Sequence, residues 1–452
     1  MSRVFCLSSN VTTEPYPVYP LGMAVIAGAL SRSGHEVRQF DFLVSGCSEQ
    51  ALLDAVQDFA PDCICMSMRN IDNVDSFSAE SAWYVGQAKR LVELLRSASS
   101  APVVVGGPGF SILPEEILAY RGADHGVVGE GEEAICTLVA DLAAGRAMPP
   151  LLSGSAPLSG SGQGSPLLDR ELVDFYVAQT GMVNLQTKRG CPHDCVYCTY
   201  PSLEGKRFRP RAAGVVADDI ERIGRDFGVN GFFFTDSVFN DARGEYLELA
   251  EEILRRDLKI SFCAFFRPQG IGRPELALLK RAGLHAAELG TDAASDATLA
   301  GIDKGFTFAD VLEVNRACVA ERIPAAHFVI FGGPDETMMT VAEGLQNIAG
   351  LEHCVVFAFS GIRILPGTRM LERAIADGVI AAGAPLLMPV HYHSPQLDPA
   401  AMNSAILKSF QGRRDRIFPP SDGQVRMSVM RRFGFRGLLW DRLIAFPAED
   451  QA

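Results

Sequence analysis

Residues 187–201 read Thr-Lys-Arg-Gly-Cys-Pro-His-Asp-Cys-Val-Tyr-Cys-Thr-Tyr-Pro, which places Cys191, Cys195 and Cys198 in a C-x3-C-x2-C spacing. Thiolates are the natural ligands of iron–sulfur clusters, and a four-iron cluster takes four of them. This stretch offers three, so one iron is left open to a group that is not cysteine. A zinc site would ask for a fourth Cys or His at a similar distance. His193 is at hand, but it lies inside the loop, where four ligands would be cramped. With 11 cysteines in the chain, eight lie outside this loop, and they form no second triplet. Cys63 and Cys65 alternate on the strand-like run DCICMSM, share one face and read as core.

The elements that must hold this loop come next. VNLQT (183–187) runs into Lys188-Arg189-Gly190 and then the cysteines, and an aromatic, Tyr197, precedes the last of them. This resembles the signature of the radical S-adenosylmethionine (SAM) superfamily, in which the amino and carboxylate groups of SAM chelate the open iron. From residue 181 strand and helix patterns alternate through about six units, ending with CVVFAFSGIRILPG (354–367). That matches the partial (β/α)6 barrel of the superfamily, whose active site lies at the carboxyl ends of the strands. The resemblance implies SAM or substrate contacts at Tyr197, Thr199, Thr235, Asp236, Ser237, Arg267, Glu288, Gly332 and Arg363. Lys304-Gly305 reads as a helix-cap turn.

Residues 1–145 alternate strand and helix through five strands, which implies a doubly wound parallel sheet. Ligands of such sheets sit beyond the carboxyl ends of the strands. Unusual residues collect there: Pro20-Leu21-Gly22, Met68-Arg69-Asn70, Gly106-Gly107-Pro108-Gly109 and Gly129-Glu130-Gly131-Glu132. None is a G-x-G-x-x-G or a P-loop, so a dinucleotide or ATP is not indicated. In this order, ahead of a cluster motif, the turns resemble the cobalamin-binding domain that precedes many radical SAM domains. The chain lacks the Asp-x-His-x-x-Gly motif whose histidine ligates cobalt in many cobalamin proteins. The resemblance therefore implies base-off cofactor with no histidine ligand. Arg69 follows the third strand, where a residue of the lower face would sit. A guanidinium stays protonated and cannot ligate.

The expected architecture is α/β: a cobalamin-binding Rossmann-like domain (1–147), a linker (148–180), a radical SAM partial barrel (181–375) and a small, mainly helical carboxyl-terminal region over the active site (376–452). AMPPLLSGSAPLSGSGQGSPLLDR, from Ala147, is rich in Gly, Ser and Pro and reads as irregular. MSVMRRFGFRGLLWDRLIAF (427–446) reads as one amphipathic helix packed on the barrel. Net charge is −13 and the pI near 5.2, which argues against a general nucleic-acid binder. No apolar run is long enough to cross a membrane. Many cysteines without a secretory signal fit a cytoplasmic protein.

The family resemblance implies a C-methyltransferase using a [4Fe-4S] cluster, cobalamin and SAM, with an electron donor such as flavodoxin or ferredoxin. In that chemistry a methyl group passes from SAM to cob(I)alamin and on to a substrate carbon. Among such enzymes the chain looks most like the tryptophan 2-C-methyltransferases of thiopeptide biosynthesis, on the strength of its short length and the RNIDN loop (69–73). The substrate expected is C2 of the indole of L-tryptophan or a carbon of another natural-product precursor. Candidates for catalysis are Arg69, Tyr200, Arg267 and Tyr392, with Arg363 a further candidate clamp for a substrate carboxylate. Alternatives that keep both cofactors are an sp3-carbon methylase of a natural-product or lipid precursor and a radical cyclase or oxidoreductase.

Overall fold

The structure is a computed structural model that describes every residue except 14–15, 79–82, 155–156 and 448–452. The amino-terminal part runs β1 (Arg3–Ser8), α1 (Leu21–Arg32), β2 (Glu36–Asp41), α2 (Glu49–Phe59), β3 (Cys63–Ser67), α3 (Tyr84–Ala98), β4 (Val103–Gly106), α4 (Pro108–Ile112), α5 (Pro114–Arg121), β5 (His125–Val128), α6 (Glu132–Ala143) and β6 (Leu151–Ser153). All six strands pair in parallel, in the order β2-β1-β3-β4-β5-β6. The central strands are near-continuous apolar runs, because helices cover both faces of the sheet; Val4, Ile64, Val103 and Val105 are fully buried. The order reverses between β1 and β3, and crevices for ligands open at such a switch point. The loops 9–12 and 68–70 flank it. Of the helix expected over 80–97, the part from Tyr84 is α3; residues 80–82 lie outside the described residues.

The Gly/Ser/Pro stretch is more ordered than its composition implies. It donates β6 to the edge of the sheet, with Gly126 opposite Leu151, so the sheet has six strands where five were expected. It then forms α7 (Arg170–Thr180), started by Asp169, whose carboxylate accepts from Leu172 N at 3.2 Å, and stopped by Gly181 at φ 74°.

The barrel follows: β7 (Val183–Leu185), β8 (Lys188–Arg189), α8 (Tyr200–Leu203), β9 (Arg209–Pro210), α9 (Ala213–Phe227), β10 (Gly231–Phe234), α10 (Glu245–Arg255), β11 (Ser261–Phe266), α11 (Arg273–Arg281), β12 (Leu284–Asp292), α12 (Asp296–Gly301), α13 (Phe308–Ala320), β13 (Ala325–Phe331), α14 (Met338–Ala349), β14 (Val355–Ser360) and β15 (Ile362–Arg363). Then come α15 (Arg369–Ala376), β16 (His391–Tyr392), α16 (Pro399–Phe410), β17 (Arg416–Ile417) and α17 (Pro420–Arg432). The barrel sheet has the order β17-β14-β13-β12-β11-β10-β7, so the tail adds a seventh strand to the six expected.

Parallel register fixes which residues face the barrel interior. Phe233 lies beside Cys263, Cys263 beside Ala286, Phe265 beside Glu288, Glu288 beside Ala326, and Phe328 beside Phe357. The lowest of these residues form an apolar floor with Tyr16 and with Leu438, Leu439 and Trp440. Both ends of the chain thus plug the partial barrel. The stretch 427–446 is not one helix. α17 ends at Arg432, the chain turns through Gly434 and Gly437, both at positive φ, and Trp440–Leu443 makes a 3-10 turn. Phe433 is left 79% exposed while Trp440 is buried.

Candidate active site

The cysteine loop hangs between the antiparallel pair β8 and β9, with Arg189 opposite Arg209. Gly190 turns it at φ 86°, and a Cβ there would lie 2.0 Å from Arg207 O, so only glycine fits. Its N–H donates to Glu204 at 3.1 Å, and Cys191 N donates to Gly205 O at 3.0 Å. Cys198 N donates to Cys195 O at 3.1 Å, and the three thiols lie within electrostatic reach of one another. Burial raises the Cys191 thiol and pushes Cys198 up to about 12, the neighbouring thiols adding to it. Such thiols keep their protons until a metal displaces them. Three cysteines from one tightly turned loop fit the three-ligand set of a four-iron cluster.

Beside the cysteines stands a group that sequence reading missed. Tyr197 Oη donates to Asp292 at 2.5 Å, and Lys304 Nζ pairs with the same carboxylate at 2.6 Å while only 6% exposed. Lys304 does precede a turn, with Gly305 at φ 67°, but its side chain runs back toward Cys195. The only signal in the sequence was a lysine in the turn between α12 and α13 of the barrel. Arg267 is 8% exposed, its guanidinium 4.8 Å from the Phe306 ring and its Nε donating to Gln269 at 3.2 Å. Among the described residues no carboxylate pairs with it.

Several residues expected to meet ligands do other work. Asp236 is fully buried and accepts from the backbone N–H groups of Thr187 (2.7 Å) and Lys188 (3.2 Å) and from the Thr187 hydroxyl, so it fixes the entry to the cysteine loop. Ser237 Oγ donates to Gly190 O at 2.9 Å, while Thr235 is part-exposed to the interior. Gly332 donates its N–H to Glu336 and lies under His393, whose Cδ2 would be 2.9 Å from a Cβ. Arg363 is committed to Asp72 at 2.8 Å, Ile364 O at 2.6 Å and Leu386 O at 3.0 Å; it bolts the barrel to the amino-terminal domain. Tyr392 is fully buried and donates to Asp377 at 2.6 Å, so its hydroxyl is not free for a substrate. Glu288 lies on the interior face of the barrel, where it accepts from Tyr16 Oη at 3.1 Å. Thr199 caps α8, and Tyr200 opens it with its ring 44% exposed, within electrostatic reach of Arg69.

On the amino-terminal side, Pro20-Leu21-Gly22 starts α1 and Gly106-Gly107-Pro108 starts α4, both at the carboxyl edge of the sheet. Gly107, at φ 98°, has Met68 O 2.6 Å from where a Cβ would stand, and Gly109 has Asn70 at 2.9 Å, so the two loops lie in direct contact. Gly129 turns at φ 80° with open space at its Cβ position. Ser9, Asn10, Val11, Thr12, Arg69, Asn70 and Tyr84 line a small cavity at the switch point. Arg69 Nε and Asn10 Nδ2 are buried there without partners. Burial pulls the Arg69 guanidinium down, and the groups opposing this are phenols: Tyr176, Tyr84, Tyr200 and Tyr16. Unpartnered donors and backbone-close glycines at this edge fit a large, amide-rich ligand such as cobalamin. Glu130 is the exception. Its carboxylate accepts from Arg209, from Arg189 at 3.1 Å and from Leu158 N at 2.9 Å, and Glu132 takes Arg189 at 2.6 Å. That loop clamps the cysteine loop rather than facing a cofactor.

A thiol triplet above a partial barrel, faced by a doubly wound domain with an open switch point, defines a radical SAM enzyme with a cobalamin domain in front of it. Residues 8–139 match the B12 binding domain and residues 185–347 the Radical SAM superfamily. The chain carries the B12-binding domain followed by the Radical SAM domain, the two together covering more than half of it. It is 25% identical to tryptophan 2-C-methyltransferase of Streptomyces laurentii over 77% of this chain and 71% of that one. An uncharacterised methyltransferase of Pyrococcus horikoshii is 26% identical over 82% of this chain and 80% of its own. The fold matches the radical SAM methyltransferase TsrM of Kitasatospora setae, solved with cobalamin and a [4Fe-4S] cluster, at a TM-score of 0.84 and 24% identity, covering 98% and 97% of the two chains.

Proposed function

We propose that the enzyme methylates a ring carbon of an aromatic amino acid, C2 of the indole of L-tryptophan. The observation that carries this reading is the lining of the barrel interior. Phe265, 37% exposed, and part-exposed Phe328 and Phe359 lie on the interior face of the barrel sheet. Three phenyl faces select a flat, apolar group. Arg267, without a carboxylate partner among the described residues, follows β11 and would neutralise a substrate carboxylate. The similarity to tryptophan 2-C-methyltransferase supports the same substrate.

Bound cobalamin supplies the methyl carrier, and the cluster with SAM supplies low-potential electron chemistry. Cys191, Cys195 and Cys198 would hold the cluster; the turns at 20–22, 68–70, 106–109 and 129 would hold cobalamin. Arg69 keeps a non-ligating positive charge at the switch point. Tyr197, Asp292 and Lys304 form the polar wall on the SAM side. A flavodoxin- or ferredoxin-class donor in a reducing cytoplasm completes the reading, consistent with 11 free cysteines.

The test is a mass-spectrometric assay with reconstituted enzyme, cobalamin, SAM and L-tryptophan, reading methyltryptophan and 5′-deoxyadenosine. Methyltryptophan without stoichiometric deoxyadenosine is the expected outcome. Deoxyadenosine without methyltryptophan would sink the tryptophan reading.

A further inference from the structure

Glu288 is a buried carboxylate with no cation beside it among the described residues, on the interior face of the barrel. Its register partners Phe265 and Ala326 put its side chain on the interior face, and Phe328 lies on that face two residues beyond Ala326. Phe265 is 37% exposed, so there is open room next to a carboxylate that is itself 3% exposed. Burial with so few partners is costly for a charge.

Three parts of the chain meet at this group. Tyr16, from the segment after β1, donates to it at 3.1 Å. The Trp440 indole N–H, from the carboxyl-terminal plug, approaches it without closing a hydrogen bond of normal geometry. Cys263 faces it from β11, with Asp441 beyond, and Arg69 faces Tyr16 from the amino-terminal domain. Burial pushes the Glu288 carboxyl up to about 7, and the Tyr16 hydroxyl holds it back from rising further.

We infer that Glu288 is the catalytic acceptor of the proton that the substrate ring loses on methylation, with Tyr16 as its positioning residue. The inference rests on the ring-methylation reading above. Over the whole reaction the S–CH3 bond of SAM breaks with its electron pair left on sulfur, and a C–CH3 bond forms from a π pair of the ring. The C–H electrons then return to the ring and the proton passes to the Glu288 carboxylate. The balance is redox-neutral and needs no further reactant.

The experiment compares Glu288→Gln, Glu288→Asp and Tyr16→Phe with wild type as reconstituted holoenzymes, across pH. General-base removal costs roughly 10²–10⁴ in rate. Glu288→Gln is expected to keep its iron and cobalamin and to release a first turnover of S-adenosylhomocysteine at the wild-type rate, yet to form methyltryptophan about 100-fold or more slowly. Glu288→Asp restores part of that rate. The acid limb of the wild-type pH–rate profile, near 7, disappears in Glu288→Gln and moves to higher pH in Tyr16→Phe, because the donor that favours the ionised form is gone. Glu288→Gln turning over within threefold of wild type with an unchanged acid limb overturns the inference. If that variant fails to load its cofactors, an unshifted limb in Tyr16→Phe overturns it instead. A wild type that makes no methyltryptophan refutes the substrate reading itself and takes this inference with it.

Discussion

Replacing Glu130 with Gln tests whether the amino-terminal domain holds the cysteine loop in place. The carboxylate is 7% exposed and Arg209 15%, and Arg209 reaches it with two nitrogens. Arg189, two residues before Cys191, also reaches it, but Arg189 keeps Glu132 at 2.6 Å when the charge is removed. The loss therefore falls on Arg209, left with the carbonyls of Leu158 and Glu204. Breaking a buried pair by deleting one partner costs about 3–5 kcal/mol, and the retained carbonyls put this case near about 3 kcal/mol.

Denaturant unfolding of the apo protein, in a double-mutant cycle with Arg209→Gln, isolates the pair. Iron content after reconstitution reads the effect on the loop and should fall. The pH dependence has a definite sign. Burial raises the Glu130 carboxyl, but the Arg209 hydrogen bonds, the Arg189 charge and the Leu158 N–H more than offset this and leave it lowered. Its contribution is complete above the unfolded value of about 4.3 and is lost as pH falls through the lowered folded value. Glu130→Gln should flatten that part of the curve. Additive single losses below about 1 kcal/mol, with a full iron complement, would refute the clamp.

Three shorter predictions follow from the same geometry. Cys195→Ala loses the cluster; iron at the wild-type level in that variant would refute the ligand assignment. Arg69→Lys keeps cobalamin, read by its visible spectrum, but slows methylation, since a compact ammonium does not reproduce a guanidinium facing four phenols; unchanged kinetics would remove Arg69 from the mechanism. Arg121 is 3% exposed, has Met68 Sδ at 2.7 Å as its one polar contact among the described residues, and is pulled down to about 9 by burial. Arg121→Met should therefore raise stability by about 1–3 kcal/mol in denaturant unfolding, and a loss of stability would show a partner that this geometry lacks.

Strand and helix patterns were legible because each element answers to its own periodicity. The sequence pattern predicts helices over 214–227, 273–282, 308–321 and 337–350, and α9, α11, α13 and α14 begin and end within one residue of those limits, two of them at the caps Thr307 and Thr337. β6 and α7 were hidden because a Gly/Ser/Pro composition describes the chain's intrinsic freedom and not the sheet edge it meets. The amphipathic stretch 427–446 carried a helical pattern through Gly434 and Gly437, where positive φ ends any helix. Cysteine spacing survived intact because one local turn makes the site. Lys304 did not, since its partners Asp292 and Tyr197 come from other elements.

The residues assigned too freely to ligands share a single cause. Position at a strand end can be read from a sequence, whereas what stands opposite cannot. Glu130 and Arg363 sit at the carboxyl edges of their sheets, as cofactor-binding residues do, yet each finds a countercharge on the facing domain: Arg189 and Arg209 for one, Asp72 for the other. Arg69 and Arg267 occupy equivalent edges with no carboxylate against them among the described residues. A buried charge must be neutralised by something. Where the opposing domain provides the countercharge, the residue holds the two domains together. Where it does not, as at Arg69 and Arg267, no countercharge is met among the described residues, which is why the proposed cofactor and substrate-carboxylate contacts are put there.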